Sequence, residues 1–229
     1  WPGYRTGPAP AINKGFSISN GEIMGWINSD DMLMPNSLFV VAEIFTQFPE
    51  IDWITGTATT IDSDSRYVRS RNYRVNLYDY LIGDWPVIQQ ESTFWRRRLW
   101  ESVGSGLNED LSIAFDSDLW AKFFLHADHY HVDCPIGAYR KVSNSTSIRK
   151  SEEFSKVTER SIVDLRNNIS KKLLRKSFRY RIFKWLICMI SSTRFQNLLG
   201  RFFGDNRFAY HCLSYMSVES QWRKYSQWK

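Results

Sequence analysis

The chain has 229 residues, 43% of them hydrophobic and 16% aromatic, with ten tryptophans and a formal net charge of +6. That much apolar side chain excludes a disordered polymer and suits one packed domain with an appendage. Cys134, Cys188 and Cys212 are widely spaced and odd in number, which argues against a disulfide framework or a zinc ribbon and fits a reducing, cytoplasmic compartment.

The charge is divided unevenly. Residues 1–148 hold 12 Lys/Arg against 18 Asp/Glu, a balance of −6, whereas residues 149–229 hold 18 against 6, a balance of +12. Such a split implies two jobs, with a cation expected on the acidic part and an anionic surface on the basic part.

Residues 1–10 contain Pro2, Gly3, Gly7, Pro8 and Pro10 and read as irregular, followed by a short helix over 11–19 that Asn20-Gly21 stops. Residues 23–28 read as a buried strand, and Leu38, Val41, Ile44, Phe45 and Phe48 recur at helical spacing over 35–48. A Thr-rich strand is expected over 53–61, paired with a second over 67–75 through the turn Asp62-Ser63-Asp64-Ser65. A strand over 87–95, a short helix over 97–103 and a Gly-rich loop follow. Residues 116–126 form an amphipathic helix with Leu119, Trp120, Phe123 and Phe124 inward, and short strands are expected at 130–132 and 136–140. The polar stretch 143–151 is the expected boundary, dividing the chain into 1–148 and a basic helical region over 149–229. The helical pattern runs to about residue 204 and then becomes unreadable.

Asn28-Ser29-Asp30-Asp31 at the carboxyl end of the first strand carries the chemistry. Ligands collect at strand carboxyl ends in open α/β sheets, and two aspartates there suit a hard divalent cation holding phosphates. The alternative is an acidic turn capping the helix that begins near Pro35. Asp116 opens its helix, where a carboxylate serves as an N-cap, a place that does not exclude a chemical role; Asp118, two residues on, points elsewhere. Gln89, Gln90, Glu91 and Thr93 sit near a strand end and could be ordinary edge residues. Arg96-Arg97-Arg98 reads as a solvated run. His126, Asp128, His129 and His131 match no zinc spacing and read as a helix-to-strand corner.

Ala11-Ile12-Asn13-Lys14-Gly15-Phe16, Asn20-Gly21-Glu22-Ile23 and Trp26-Ile27-Asn28-Ser29-Asp30-Asp31 resemble the middle of a family 2 glycosyltransferase with the GT-A fold. Gln90-Glu91-Ser92-Thr93-Phe94-Trp95-Arg96-Arg97 and Phe115-Asp116-Ser117-Asp118-Leu119-Trp120 are similar to later blocks of that family, in the same order. The resemblance covers about residues 9–141 and begins partway into the family pattern. The family's first βαβ units, which hold the base, are therefore expected to be missing here, leaving a chain that binds its donor weakly alone.

The resemblance implies an α/β GT-A core and transfer of a sugar from a nucleotide-diphospho-sugar to a saccharide or lipid-linked acceptor hydroxyl, with inversion. It implies a Mg or Mn ion on Asp31 with Asp30, donor contacts from Asn13, Lys14, Asn28, Asp30 and Asp31, and Asp116 as the base. It also implies an acceptor or sugar side lined by Gln90, Glu91 and Thr93. The chain departs from the pattern at Phe115, where many members are acidic, and at Val142, where a His often completes the metal site. The rivals are a metal-dependent phosphohydrolase and an inactive binding module; nucleic acid is not an expected partner, for want of a recognisable module.

Lys171 to Lys184 holds seven Lys/Arg and no acid, and Phe178, Ile182, Trp185, Leu186 and Met189 share one helical face. Such a helix either lies on an anionic membrane surface or packs its apolar face on its own protein.

Overall fold

The computed structural model describes residues 7–84, 87–142, 150–190 and 208–227. Two sheets make the frame. Six strands form the larger, in the order β1 (Ile23–Met24), β6 (Thr93–Arg96), β3 (Trp53–Gly56), β7 (His129–Val132), β9 (Tyr210–Met216), β10 (Gln221–Gln227). Four form the smaller: β2 (Met32–Leu33), β8 (Gly137–Arg140), β4 (Ala58–Ile61), β5 (Tyr67–Arg71). The strands β3, β7 and β9 run parallel, β1 and β6 antiparallel to their neighbours, and β4 and β8 are parallel in the smaller sheet.

The chain crosses between the sheets repeatedly, and this corrects three expected strands. The strand expected over 53–61 is two strands in two sheets, broken at Thr57, whose N–H bonds to the carbonyl of Cys134 at 2.9 Å. Gly56 permits the bend: a Cβ there would lie 2.7 Å from Cγ1 of Ile136 and 2.8 Å from the Cys134 carbonyl. The strand expected over 23–28 pairs only at Ile23 and Met24, because the chain turns off at Gly25, where a Cβ would meet the Phe94 ring at 2.8 Å. The strand expected over 87–95 is paired only from Thr93; before it lies a 3-10 turn, Gln90–Ser92. There the Gln89 amide does the ladder's work, accepting from the Thr59 N–H and donating to the Thr59 carbonyl, both at 2.7 Å. Period-2 patterning cannot show such breaks, since side chains alternate on both sides of them.

The helices are α1 (Pro8–Ile18), α2 (Ser37–Gln47), α3 (Leu77–Ile82), α4 (Arg97–Ser102), α5 (Phe115–Phe123), α6 (Ser151–Asn168) and α7 (Lys171–Cys188). α1 begins at Pro8 rather than residue 11, since proline is preorganised for the first helical position. α5 turns Leu119, Trp120, Phe123 and Phe124 inward as its periodicity requires. Its Trp120 stacks on Trp26 and Trp53 at centroid distances of 6.0 and 5.7 Å, forming an aromatic core with Trp95, Trp100 and Phe16. Four of the five apolar positions expected on α2 are buried; Leu38 is 60% exposed.

The expected boundary at 143–149 and the expected helix beyond residue 190 lie outside the described residues. α6 and α7 pack on α5 and α3, and Ile162, Leu165 and Tyr180 join the aromatic core. The unreadable end of the chain is a β-hairpin, β9–β10, which extends the larger sheet through β7. Trp222 fixes it to α2: its indole N–H donates to Glu43 at 3.2 Å, and its backbone pairs with the Gln47 amide. Among the described residues no helix is long and apolar enough to cross a membrane.

Candidate functional site

The site lies where the chain passes from β1 in the larger sheet to β2 in the smaller one. Asn28–Asp31 makes that passage as a turn closed by the Asp31 N–H on the Asn28 carbonyl at 3.2 Å. The Asn28 amide donates to Oδ2 of Asp31 at 3.0 Å and to Oε1 of Gln90 at 3.2 Å. The other Asp31 oxygen accepts the backbone N–H of Arg140, at the end of β8, at 2.8 Å. Arg140 also donates from Nε to the Asp30 carbonyl at 2.6 Å, and from Nη1 to Ser65 Oγ at 2.9 Å and to the Asp62 carbonyl at 3.0 Å. Its guanidinium thus ties the Asp30–Asp31 turn to the β4–β5 hairpin. The Asp30 side chain is exposed.

Glu91 sits under this turn, 5% exposed, in the 3-10 segment that precedes β6. Gly137 makes its position possible: a Cβ on Gly137 would lie 2.0 Å from the Glu91 carbonyl oxygen, and backbone cannot yield that space. Burial, the adjacent Asp31 carboxylate and the charge of Asp116 push the Glu91 carboxyl up to about 8, so it carries a proton at neutral pH and donates it to Asp31. Burial also raises Asp31 above the usual carboxylate range, against the pull of its two N–H donors.

Asp116 is in the first turn of α5, and the N-cap is Ala114, held at φ 57° in the left-handed region. Its carboxylate accepts the N–H of Ser117 at 2.9 Å. Asp116 lies deep in the protein with part of its surface still open, and burial raises its pKa. It acts electrostatically on Glu91 and on the buried phenol of Tyr80, whose pKa it helps burial to raise. Asp118 points elsewhere, bonding Ser161 of α6 at 3.2 Å and Lys122 at 2.7 Å.

The structure therefore brings together Asn28, Asp30, Asp31, Gln90, Glu91 and Asp116. Two expected residues are engaged elsewhere. The Asn13 amide clamps the 107–109 loop, donating to the Leu107 carbonyl at 3.0 Å and to Glu109 at 2.9 Å and accepting from the Leu107 N–H at 2.8 Å. The Thr93 hydroxyl bonds Thr55 Oγ1 at 2.8 Å and the Gln89 carbonyl at 2.7 Å, inside the larger sheet. Lys14 is exposed on α1. Arg96, expected in a solvated run, is buried: it pairs with Glu22, donates to the carbonyls of Ile51 and Phe45, and stacks 5.1 Å from the Phe45 ring. Arg140 and Gly137 were not foreseen as parts of the site; only their place at the start and end of β8 links them to it.

His129 and His131 point into the core from β7, with His129 bonded to the Val75 carbonyl at 3.1 Å and packed on Trp53. Among the described residues no group of three or more His, Cys, Asp or Glu is arranged to hold a metal ion.

The two crossing sheets and the carboxylates at their seam define a mixed α/β protein of the GT-A type. The sequence model of glycosyl transferase family 2 matches residues 3–117, half of the chain, and the chain belongs to that family. Among solved structures, that of S. aureus TarS residues 1–349 in complex with UDP is similar, with a TM-score of 0.54 and 16% identity over 84% of this chain and 54% of that one. Another S. aureus TarS structure gives 0.51 and 15% identity over 82% of this chain and 32% of that one. The chain thus spans just under a third of one of these structures and just over half of the other. No curated protein matches.

Proposed function

We propose that the protein carrying this chain transfers a sugar from a nucleoside-diphosphate donor to an acceptor hydroxyl, with Asp116 as base and inversion at the sugar carbon. The observation behind this reading is the convergence of Asp31, Glu91 and Asp116 on one seam, reached from three separate segments. Membership of the family and the UDP bound in the similar TarS structure support a nucleotide donor.

A base must be unprotonated, near the acceptor and basic enough to take its proton. Burial makes Asp116 more basic than an ordinary aspartate, and its partly open edge leaves it a route to the hydroxyl. One carboxylate in this role supports direct attack and inversion, because no covalent intermediate is then needed.

The donor set fits a Mg or Mn ion. Asp31 presents a carboxylate already oriented by Asn28 and the Arg140 N–H, and it shares a proton with Glu91, as crowded carboxyls do. Asp31, with the exposed Asp30 beside it, would hold the ion, with diphosphate and water as further oxygen ligands. The ion would neutralise the departing diphosphate. Glu91 would shed its proton as the ion arrives, so binding should release protons and tighten with pH. The phosphohydrolase alternative draws on histidine ligands, but His129 and His131 are spent in the core.

Calorimetry of a nucleoside diphosphate on the protein carrying this chain tests the reading. Mn²⁺ should tighten binding, and Asp31→Ala should abolish that effect while leaving metal-free binding within a few fold. Equal Mn²⁺ dependence in the variant would refute the assignment.

A further inference from the structure

α7 differs from an ordinary surface helix in carrying apolar side chains on its outward side as well as its inward one. Its inward side carries Leu173, Ser177, Tyr180, Phe183, Lys184 and Ile187. Its outward side carries Phe178, Ile182, Trp185 and Leu186, with Met189 just beyond its end, all between 47% and 70% exposed. At helical pitch these five fall within an arc of roughly 100°. Scattered exposed apolar residues are ordinary; a contiguous apolar stripe is not.

The orientation is held by bonds. The Asp79 carboxylate, fully buried on α3, accepts from Lys184 and, at 2.8 Å, from the Tyr180 hydroxyl. The Tyr180 ring packs against Tyr78 and Phe208, and Arg181 donates to the Ile82 carbonyl at 3.3 Å. Rolling the helix over to bury Trp185 would leave Asp79 without its cation in the core, which is strongly unfavourable. The stripe is therefore outward by construction.

Charge identifies what covers it. Lys171, Lys172, Arg175, Arg179 and Arg181 are exposed on the same helix, and no acid lies between residues 171 and 190. Lys171, Arg175 and Arg179 lie on the arc of the stripe or at its border, one helical turn apart. A second copy would set these cations against one another. A nucleic acid would satisfy the cations and leave Ile182, Leu186 and Met189 unmatched.

We infer that α7 docks the protein flat on an anionic phospholipid surface. Phe178, Ile182, Trp185, Leu186 and Met189 enter between the headgroups, and Lys171, Arg175 and Arg179 pair with lipid phosphates. The docking stands whether or not the chain transfers a sugar.

Co-sedimentation with vesicles tests it. The protein should bind vesicles of phosphatidylglycerol with phosphatidylcholine at least tenfold more tightly than phosphatidylcholine alone, and less tightly as salt rises. Trp185→Ala with Phe178→Ala should lose about tenfold or more. Lys171→Gln with Arg175→Gln and Arg179→Gln should lose roughly a hundredfold, near fivefold per charge. All five side chains are exposed, so both variants should unfold at the parent midpoint; if either does not, the single change Arg175→Glu, which touches no core residue, replaces it and should still weaken binding. Equal binding to both vesicle types, or folded variants that bind as the parent does, would overturn the inference. So would a dimer dissolved by Trp185→Ala and Phe178→Ala in a protein that ignores vesicles, which would make a second copy the occupant.

Discussion

The seam between the sheets and the anchor of α7 both bury carboxylates, and they do so in opposite ways. At the seam Asp31, Glu91 and Asp116 lie near one another with backbone N–H groups, an amide and a shared proton to steady them. Under α7, Asp79 has Lys184, Tyr180 and its own helix N-terminus. Burial raises the pKa of all four. A raised carboxyl therefore does not by itself mark a functional site. The partner separates the cases: a matched buried pair is architecture, and a cluster of like groups lacks its positive partner.

The sharpest way to break this comparison is to remove one acid from each region. Asp79→Ala leaves Lys184 without its buried counter-charge and should lower stability by about 3–5 kcal/mol, measured by urea unfolding. A loss under about 1 kcal/mol would show that the anchor is not holding α7.

Two changes with opposite pH signs come next. Burial drives His131 down to about 4, helped by the charge of Arg74, and His129 down to about 3. Their folded forms are neutral and the unfolded imidazoles take protons near pH 6.5, so this stability is complete above that pH and is lost as pH falls toward 4. His131→Gln should remove about 1.4 kcal/mol per pH unit from the acid-side slope. Glu91 has the reverse sign. Its folded pKa of about 8 lies above the ordinary 4.5, so its contribution is complete below pH 4.5 and is lost as pH rises to 8. Glu91→Gln should leave stability unchanged at pH 4.5 and raise it by of order 2 kcal/mol at pH 8. A destabilised Glu91→Gln at pH 8 would mean that the seam is a matched network like the α7 anchor.

The candidate site was legible where one short segment carries residues of the kind its chemistry needs. Asp30-Asp31 after an apolar run and Asp116 before Leu119-Trp120 are of this kind, and the helices α2 and α5 follow from spacing alone. What escaped depends on distant partners. Glu91 was expected at the site, but its burial was not, because that depends on Gly137 letting it sit beneath Asp31. Arg140 matters only because β8 ends beside the Asp30–Asp31 turn. Asn13 and Thr93 look free in sequence and are spent on Leu107 and Thr55. The hairpin β9–β10 went unread because polar Gln221, Arg223 and Lys224 interrupt its pattern, and its stability comes from β7 and from Trp222 on α2. The outward stripe of α7 was visible as a pattern; which side faced the core depended on Asp79, which lies 105 residues before Lys184.

The claim that the seam is a catalytic site rests most heavily on Asp116. Steady-state transfer by the protein carrying this chain and by its Asp116→Asn variant tests it, with donor binding measured on both by calorimetry. A base acts only in the chemical step, so kcat should fall roughly 10²–10⁴-fold while donor affinity stays within about threefold. A variant that turns over at the parent rate, or that loses donor binding in proportion to its activity, would contradict the account.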